Sequence, residues 1–514
     1  MKTTDKLFSG ENIISEDKEI FVVILIATLI FCGIMIGTGS LWSGYHMIDD
    51  HHVITKTYLI EEEGFINATV QSVAGDLSLR FRPLYWTMHL VKCAVFGPNY
   101  FAWMLLSMIE GIVSFVAIYA FARNTGSTQV EAFFFASIVI FGSQFQPWYR
   151  SSNQENAGFM FCALGLFFMS RTYTGKNIAD TAGQGRSKRI LDLILFLFFI
   201  TLATLEKEAF IVFLPAYLLM IMMMIRDRDV NTSFGTLFKR ELPVIIYIIL
   251  LMIAELYIIV RFVGTNKIGY AGFGDDVGIM TYIKGIAKTV VYPNGIRWYV
   301  LAILVSVIIV IIRKPKLSSV NIWLVFSFGY IIMTQILLHA RSTMVERYIL
   351  PCSVGFALFL ATYCFRLFRE DRTAYLCQTG VVTLLVVIGL IQSISMTYDW
   401  ACSGKEFNRM LEGVRDVIRE DEGSDILVNY GADEVEGSVA DFENQFGTWN
   451  WYHAHDEFFE YRRFDRTFDY IVSYYEGWYD SGNEFCEAVG IDASEYTVIY
   501  TDPDKEYVVL KQIG

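Results

Sequence analysis

The sequence predicts a polytopic α-helical membrane protein with about 11 transmembrane helices and a small C-terminal extracytoplasmic α/β domain. Three observations predict this class. Of the 514 residues, 54% are hydrophobic and only 18% are charged, which is little charge for a soluble chain of this length. Long apolar runs, such as residues 21–37 and 244–256, recur along the chain. From about Asp399 onward, acids become frequent and the apolar runs shorten.

The apolar runs account for the spans. A helix needs about twenty apolar residues to cross the hydrocarbon layer, and a signal peptide would be followed by a soluble chain rather than by further apolar runs. The predicted spans are 20–38, 101–122, 128–145, 155–170, 190–205, 209–225, 243–263, 298–312, 319–338, 349–365 and 378–397. The shorter ones are expected to extend into neighbouring polar residues.

Lysine and arginine collect in alternate connections, which the positive-inside rule assigns to the cytoplasm. These clusters lie at 123, 171–189, 226–240, 313–316 and 366–372. The N-terminus is then cytoplasmic, and an odd number of spans puts the C-terminus outside the cell membrane. The short segment 84–96 carries His89 and Lys92 three residues apart, so it predicts an amphipathic helix in the membrane interface rather than another span.

The spans also define the domains. We expect a cytoplasmic N-terminal segment at 1–19, a transmembrane domain at 20–398 with a first extracytoplasmic loop at 39–100, and an extracytoplasmic α/β domain at 399–514. In this last domain, apolar positions at helical spacing predict an amphipathic helix near 407–418. Apolar runs with turn residues between them predict strands within 424–431, 469–477 and 497–512, the last as a hairpin that turns at 502–504.

Ionisable residues concentrate on the predicted outer face. The first outer loop opens with Asp49-Asp50-His51-His52, a very short outer connection contains Lys207-Glu208, and a later one contains Arg341 and Arg347. Charged groups near helix ends at the bilayer surface are costly unless they pair or bind something. The pattern therefore indicates a functional site on this face.

Four short motifs in this order resemble the GT-C glycosyltransferases, polytopic enzymes that use lipid-phosphate-linked sugars. They are Asp49-Asp50, the run RFRPLYW at 80–86, Lys207-Glu208, and ERYILP at 346–351. The last is similar to the Arg-Tyr-Pro entry to a late span in the protein mannosyltransferase and aminoarabinose transferase branch. The resemblance covers roughly residues 15–400. The tail has no WWDxG-like sequence, which disfavours an oligosaccharyltransferase of that kind.

The resemblance implies transfer of a sugar from a polyprenyl-phosphate donor to an extracytoplasmic acceptor, which is a glycan, a lipid or a protein. It implies Asp49 as the general base that takes the proton of the acceptor hydroxyl. Asp50 is the alternative base, or it orients the acceptor or a metal; a helix cap is the ordinary role for either acid. His51 and Glu208 are expected to orient the acceptor, and His51 is a second candidate to bind phosphate.

The departing lipid phosphate needs cations that stabilise its developing charge. Lys207, Arg341 and Arg347 are the expected ligands of this phosphate, and Arg82 is a further candidate. Each of two residues also has an ordinary structural explanation that stays open. Lys207 would only pair with Glu206 or Glu208, and Arg347 would only anchor a helix end.

The sequence is less specific about cofactors, other partners and alternative functions. The sequence assigns no cofactor and no metal ligand, although the i, i+4 spacing of His46 and Asp50 leaves a divalent metal open. A net charge of −13 argues against nucleic acid as a partner, whereas membrane lipids surround the spans. The sequence has no glycine-rich phosphate loop of the kind that binds nucleotides. A transporter or lipid flippase and a non-catalytic membrane scaffold remain alternative functions.

Overall fold

The chain forms two compact units. The computed structural model describes residues 14–47, 49–174, 184–228, 234–264, 278–292, 294–315, 321–340, 346–431, 433–456, 459–505 and 507–513. The first unit takes its described residues from Met1–Thr38, Thr69–Met88 and Met104–Thr397, and the second from Gly39–Ala68, His89–Trp103 and Tyr398–Gly514. Much of the first outer loop therefore belongs to the same unit as the tail.

Helices make up the first unit, and further helices belong to the second unit or continue from one unit into the other. In order, they are α1 (Glu16–Gly37), α2 (His51–Glu63), α3 (Phe65–Asp76), α4 (Pro83–Phe96), α5 (Tyr100–Asn124), α6 (Gln129–Ile140), α7 (Gln154–Thr174), α8 (Gln184–Glu206), α9 (Leu214–Arg228), α10 (Phe234–Ile258), α11 (Ile279–Val291), α12 (Arg297–Arg313), α13 (Ile322–His339), α14 (Ile349–Ala357), α15 (Cys364–Phe368), α16 (Arg372–Ile418), α17 (Asp433–Glu443) and α18 (Tyr475–Val489).

Among the described residues, each segment that the sequence predicts as a membrane span contains helical structure. Within the described ranges, 6 helices are long and apolar enough to cross a membrane. Large apolar side chains lie exposed on several of them, including Phe21 at 69% and Leu29 at 63% on α1 and Leu384 at 61% on α16. Exposed apolar surface of this extent suits contact with lipid. The protein is therefore a polytopic helical membrane protein, as the composition predicts.

Aromatic side chains pack in the interior of the first unit around α1. The ring of Phe31 lies 6.0 Å from that of Phe141 and 5.3 Å from that of Phe145, measured between centroids. This packing requires Gly111, because a Cβ added there would come within 2.4 Å of the Phe31 ring. The apolar runs thus supply both the exposed surface and a closely packed core.

The second unit contains a five-stranded sheet in the order β2-β1-β3-β5-β4. Its strands are β1 (Asp425–Asn429), β2 (Asn450–His453), β3 (Tyr470–Tyr474), β4 (Tyr496–Thr501) and β5 (Tyr507–Gln512). β1 pairs in parallel with β2 and β3, and β5 pairs antiparallel with β3 and β4. Leu427, Ile471 and Val508 from the sheet pack in one core with Phe485 of α18. The α/β domain and its hairpin are therefore present as predicted.

The longest helix is α16, with 47 residues. At 1.5 Å per residue it is about 70 Å long, whereas the hydrocarbon layer is about 30 Å thick. Its last turns contain the amphipathic stretch predicted near 407–418, where Phe407, Met410 and Val414 are buried. One continuous helix therefore supplies both an apolar span and a core-packing segment of the tail.

We expect cysteines introduced at Glu370 and Thr448 to be labelled from opposite sides of the membrane. Both residues are exposed, and the apolar part of α16 separates them along the chain. The measurement is labelling with a membrane-impermeant maleimide in vesicles of either orientation, after the exposed Cys377 has been replaced by serine. Glu370→Cys should react from the cytoplasmic side and Thr448→Cys from outside. If both cysteines react from the same side, the predicted number of spans between them is wrong by an odd number.

Candidate functional site

The predicted site residues fall into two groups, one in each unit. The acid–histidine group of the second unit comprises Asp49, Asp50, His51 and His46. The ionic group of the first unit is centred on Lys207 and its partners. Each group is described by itself.

Asp49 occupies an unusual backbone conformation directly before α2. Its φ is +72°, in the left-handed region that residues other than glycine rarely adopt. Asp tolerates this region better than most residues, because its short polar side chain can bond locally. Backbone conformations of this kind cost of order 1–3 kcal/mol and are common at functional sites. The local fold thus holds the half-buried Asp49 in a defined position at the start of α2.

Asp50 is buried, at 2% exposure, and its side chain is hydrogen-bonded to the loop that precedes α2. Its Oδ2 accepts a hydrogen bond from the backbone N–H of His46 at 3.0 Å and lies 3.5 Å from His46 Nδ1. Asp50 stands at the N-cap position of α2, but its side chain makes no capping bond there. His46 is itself fixed, because its ring stacks on Trp400 with centroids 3.9 Å apart. Asp50 therefore shapes the loop, and Asp49 is the more accessible of the two acids.

His51 is buried and suited to act as a neutral hydrogen-bonding group. Burial lowers the pKa of His51, although the negative charges of Asp49 and Asp50 act to raise it. Its ring lies 4.2 Å from that of His52. Within the described part of the chain, the buried Nδ1 of His51 has no hydrogen-bond partner. A neutral imidazole nitrogen of this kind can bond a hydroxyl group.

In the first unit, Lys207 and Arg347 share the carboxylate of Glu155. Lys207 Nζ is ion-paired with Glu155 Oε1, and Arg347 Nε lies 3.3 Å from the same oxygen. Arg347 Nη1 also donates to Asn153 Oδ1 at 3.3 Å. The Tyr348 ring centroid is 4.4 Å from Lys207 Nζ and 5.4 Å from the guanidinium carbon of Arg347. This ionic group is buried, with the side chains of Lys207 and Glu155 at 4% and 5% exposure.

The local backbone explains how these side chains are positioned. α8 ends one residue before Lys207, which has an extended conformation (φ −154°, ψ 128°) ahead of a 3₁₀ turn. Glu155 lies in the first turn of α7, where the helix dipole favours negative charge. Arg347 belongs to the short turn that precedes α14. Breaks between apolar helices thus present all three charges.

Two arginines that follow α3 pair with acids in the same unit. Arg80 donates to Glu208 Oε1 from Nε at 2.9 Å and from Nη2 at 2.7 Å. Arg82 donates twice to the carboxylate of Asp76, both at 2.9 Å, and once to Gln154 Oε1 at 3.0 Å. Glu208, predicted to orient the acceptor, is therefore bound to Arg80. Arg82 is bound to Gln154, which directly precedes Glu155, the acid at the centre of the ionic group.

The structure brings together some of the residues predicted to bind phosphate. Lys207 and Arg347 meet, whereas Arg341 lies outside the described residues. Sequence reasoning missed Glu155, which is 52 positions from Lys207. The one available signal was an acid at the outer end of the fourth predicted span. It also missed Arg80, although this residue opens the RFRPLYW motif.

The histidines and acids do not form a metal centre in the described ranges. No group of three His, Cys, Asp or Glu side chains has the proximity needed to hold a metal ion there. His46 and Asp50, whose spacing left a divalent metal open, contact each other.

Comparison with known proteins gives two kinds of similarity. Residues 83–239 match the family model described as dolichyl-phosphate-mannose-protein mannosyltransferase, a segment shorter than half of the chain. No curated protein matches the chain. Among solved structures, ArnT from Cupriavidus metallidurans bound to undecaprenyl phosphate is similar at 12% identity with a TM-score of 0.51, over 96% of this chain and 98% of that one. The Archaeoglobus fulgidus oligosaccharyltransferase tethered with an acceptor peptide is similar at 11% identity with a TM-score of 0.49. This similarity covers 96% of this chain and 74% of that one.

The similarity to ArnT extends over nearly the full length of both chains, including the tail, and shows a common fold. The family match lies within the helical part and covers Lys207-Glu208 together with the last four residues of RFRPLYW, from Pro83 onward. The chain therefore shares the fold of ArnT, and its residues 83–239 are similar to the dolichyl-phosphate-mannose-protein mannosyltransferase family.

Proposed function

We propose that this protein is a glycosyltransferase that moves a sugar from a polyprenyl-phosphate donor to an extracytoplasmic acceptor. The observation that carries the proposal is the pair of cations formed by the buried Lys207 and the partly buried Arg347, presented at breaks between apolar helices. Two such cations on one buried carboxylate leave a net positive charge in a site with little water, which favours a second anion. A lipid phosphate brings such an anion to the ends of membrane helices.

The chemistry of the donor fits these cations. When the sugar–phosphate bond breaks, the phosphate gains negative charge, and cations already in place stabilise this charge in the transition state. Arg347 offers a planar fork for two oxygens, and Lys207 acts as a compact point charge. The related structure of ArnT contains undecaprenyl phosphate, which supports a donor of this class by analogy of fold.

The acceptor side of the proposal rests on the first outer loop. Asp49 removes the proton of the acceptor hydroxyl, Asp50 holds the loop through His46, and His51 orients the hydroxyl through its buried Nδ1. In this scheme the N-terminus is cytoplasmic and the tail is extracytoplasmic. The acceptor is a hydroxyl-bearing glycan, lipid or protein.

Binding of undecaprenyl phosphate to the purified full-length chain tests the donor class. Arg347→Ala should weaken this binding by about 1.5–3 kcal/mol, the usual value for a hydrogen bond to a charged group, or roughly ten- to hundredfold in Kd. Arg313→Ala is the matched control, because Arg313 also pairs with an acid beside a helix end, at 2.7 Å from Asp371, but belongs to neither group. Equal affinities for both variants and the unchanged chain would contradict the proposed phosphate site.

A further inference from the structure

Glu155 occupies the position between Lys207 and Arg347 that an external anion would need. Both Lys207 Nζ and Arg347 Nε contact a single oxygen of this carboxylate, Oε1. The other oxygen, Oε2, is buried and has no hydrogen-bond partner within the described residues. The carboxylate is thus held through one oxygen only, by cations that a phosphate could also bind.

The surroundings of Glu155 favour an anion in general. The positive end of the α7 dipole adds to the two cations, since Glu155 lies in the first turn of this helix of 21 residues. If no anion were present, Lys207 and Arg347 would be two like charges in a buried site, which is costly. The protein therefore needs an internal negative charge here whenever the donor is absent.

We propose that Glu155 is an internal counter-anion, a positioning residue that holds Lys207 and Arg347 in place and yields them to the donor phosphate. This inference rests on the proposed function. Pairing with Glu155 and binding of phosphate then compete for the same two cations. The exchange breaks no covalent bond, because one anion replaces another on the cations.

The competition has a consequence for turnover. The donor is a phosphodiester with one negative charge, whereas the phosphate left after transfer is a monoester with a charge of about −1.5 to −2 near pH 7. Two cations would hold this product more tightly than the donor. Renewed pairing of the two cations with Glu155 opposes this tighter binding and favours release of the product phosphate.

A purely structural ion pair predicts the opposite result. If Glu155 only fastens the turn at Lys207 to the turn at Arg347, its removal disorders both cations and weakens binding of any phosphate. If Glu155 competes with phosphate, its neutralisation frees both cations and strengthens binding. The sign of the change in affinity separates the two explanations.

The experiment compares Glu155→Gln with the unchanged full-length chain in detergent, using undecaprenyl phosphate, inorganic phosphate and undecaprenol as probes. We expect Glu155→Gln to bind undecaprenyl phosphate at least about tenfold more tightly, because one competing charge is removed. A gain confined to the lipid identifies a lipid headgroup site, and an equal gain for inorganic phosphate identifies a site for free phosphate. Undecaprenol, which has no charge, should show no gain. Glu19→Gln is the control, since Glu19 is also a buried acid paired with an arginine, Arg123.

Weaker or unchanged binding by a folded Glu155→Gln variant would overturn the inference. If that variant does not fold, Glu155→Asp keeps the charge on a shorter side chain, and a smaller gain in affinity is then expected rather than a loss. In steady-state assays, Glu155→Gln should lower KM for the donor and also lower kcat, a combination that a structural defect would not produce. Failure of the unchanged chain to bind the lipid would instead contradict the proposed function.

Discussion

Asp49→Asn should lower sugar transfer by roughly 10²–10⁴-fold, the usual contribution of a general base, while binding of the lipid donor is retained. The substitution keeps the size of the side chain and removes its negative charge together with its ability to take a proton. The left-handed backbone at Asp49 should survive, because Asn tolerates this conformation as well as Asp does. The measurement is consumption of a polyprenyl-phosphate sugar, with donor affinity determined in parallel.

Two further variants make this result specific. Glu62→Gln changes an exposed acid on α2 and controls for the loss of one negative charge near the loop. Asp50→Asn should reduce transfer less than Asp49→Asn and should lower thermal stability, because Asp50 bonds the backbone of His46. A folded Asp50→Asn variant with the larger loss would reassign the base to Asp50. Near-normal transfer in both Asp variants would exclude the pair from catalysis.

The roles of the two acids show what the sequence could not resolve. Asp49 and Asp50 are adjacent and chemically identical, so either could be the base or a helix cap. The structure distinguishes them through φ at Asp49 and the bond between Asp50 and His46, neither of which follows from composition or spacing. Local backbone geometry, rather than residue type, makes one acid accessible and buries the other.

The helices and the sheet hairpin were more predictable, because their signals are local. Apolar runs and their periodicity indicate where a helix forms, and each predicted span contains a helix in the part of the chain that the structure describes. The alternating run around the turn at 502–504 likewise predicts β4 and β5. β2 was not predicted, because its four residues lie within an aromatic segment without clear alternation. Its place at the sheet edge depends on pairing with β1, a contact between distant parts of the chain.

The ionic group illustrates the same limit for the candidate site. The acids adjacent to Lys207 in sequence are Glu206 and Glu208, and the sequence therefore offered them as partners. In the fold, Glu208 accepts from Arg80 and Lys207 pairs with Glu155. Neighbouring residues at a break between helices point in different directions, so pairing there depends on which distant segment packs alongside. Sequence reasoning placed Lys207 and Arg347 in one set of candidate cations but did not find Glu155, the acid that both contact.

The buried pair with Glu155 changes what substitution of Lys207 should do. Lys207→Met retains the volume of the side chain but leaves the Glu155 carboxylate with Arg347 alone, at 3.3 Å. Loss of one partner from a buried ion pair typically costs about 3–5 kcal/mol, and Arg347 should reduce this cost. We therefore expect Lys207→Met to lower the melting temperature clearly, by an amount that thermal unfolding in detergent can measure. Lower donor affinity in this variant alone would not separate binding from folding.

The double variant Lys207→Met/Glu155→Gln separates the two. It removes both charges of the pair, so most of the lost stability should return, because no carboxylate is left without its partner. Its affinity for undecaprenyl phosphate should be compared with that of Glu155→Gln, since the two differ only at Lys207. If Lys207 binds phosphate, the double variant should bind about 1.5–3 kcal/mol more weakly than Glu155→Gln. Equal affinities, together with restored stability, would mean that Lys207 serves only to neutralise Glu155, and the donor phosphate would then have to bind through Arg347 without it.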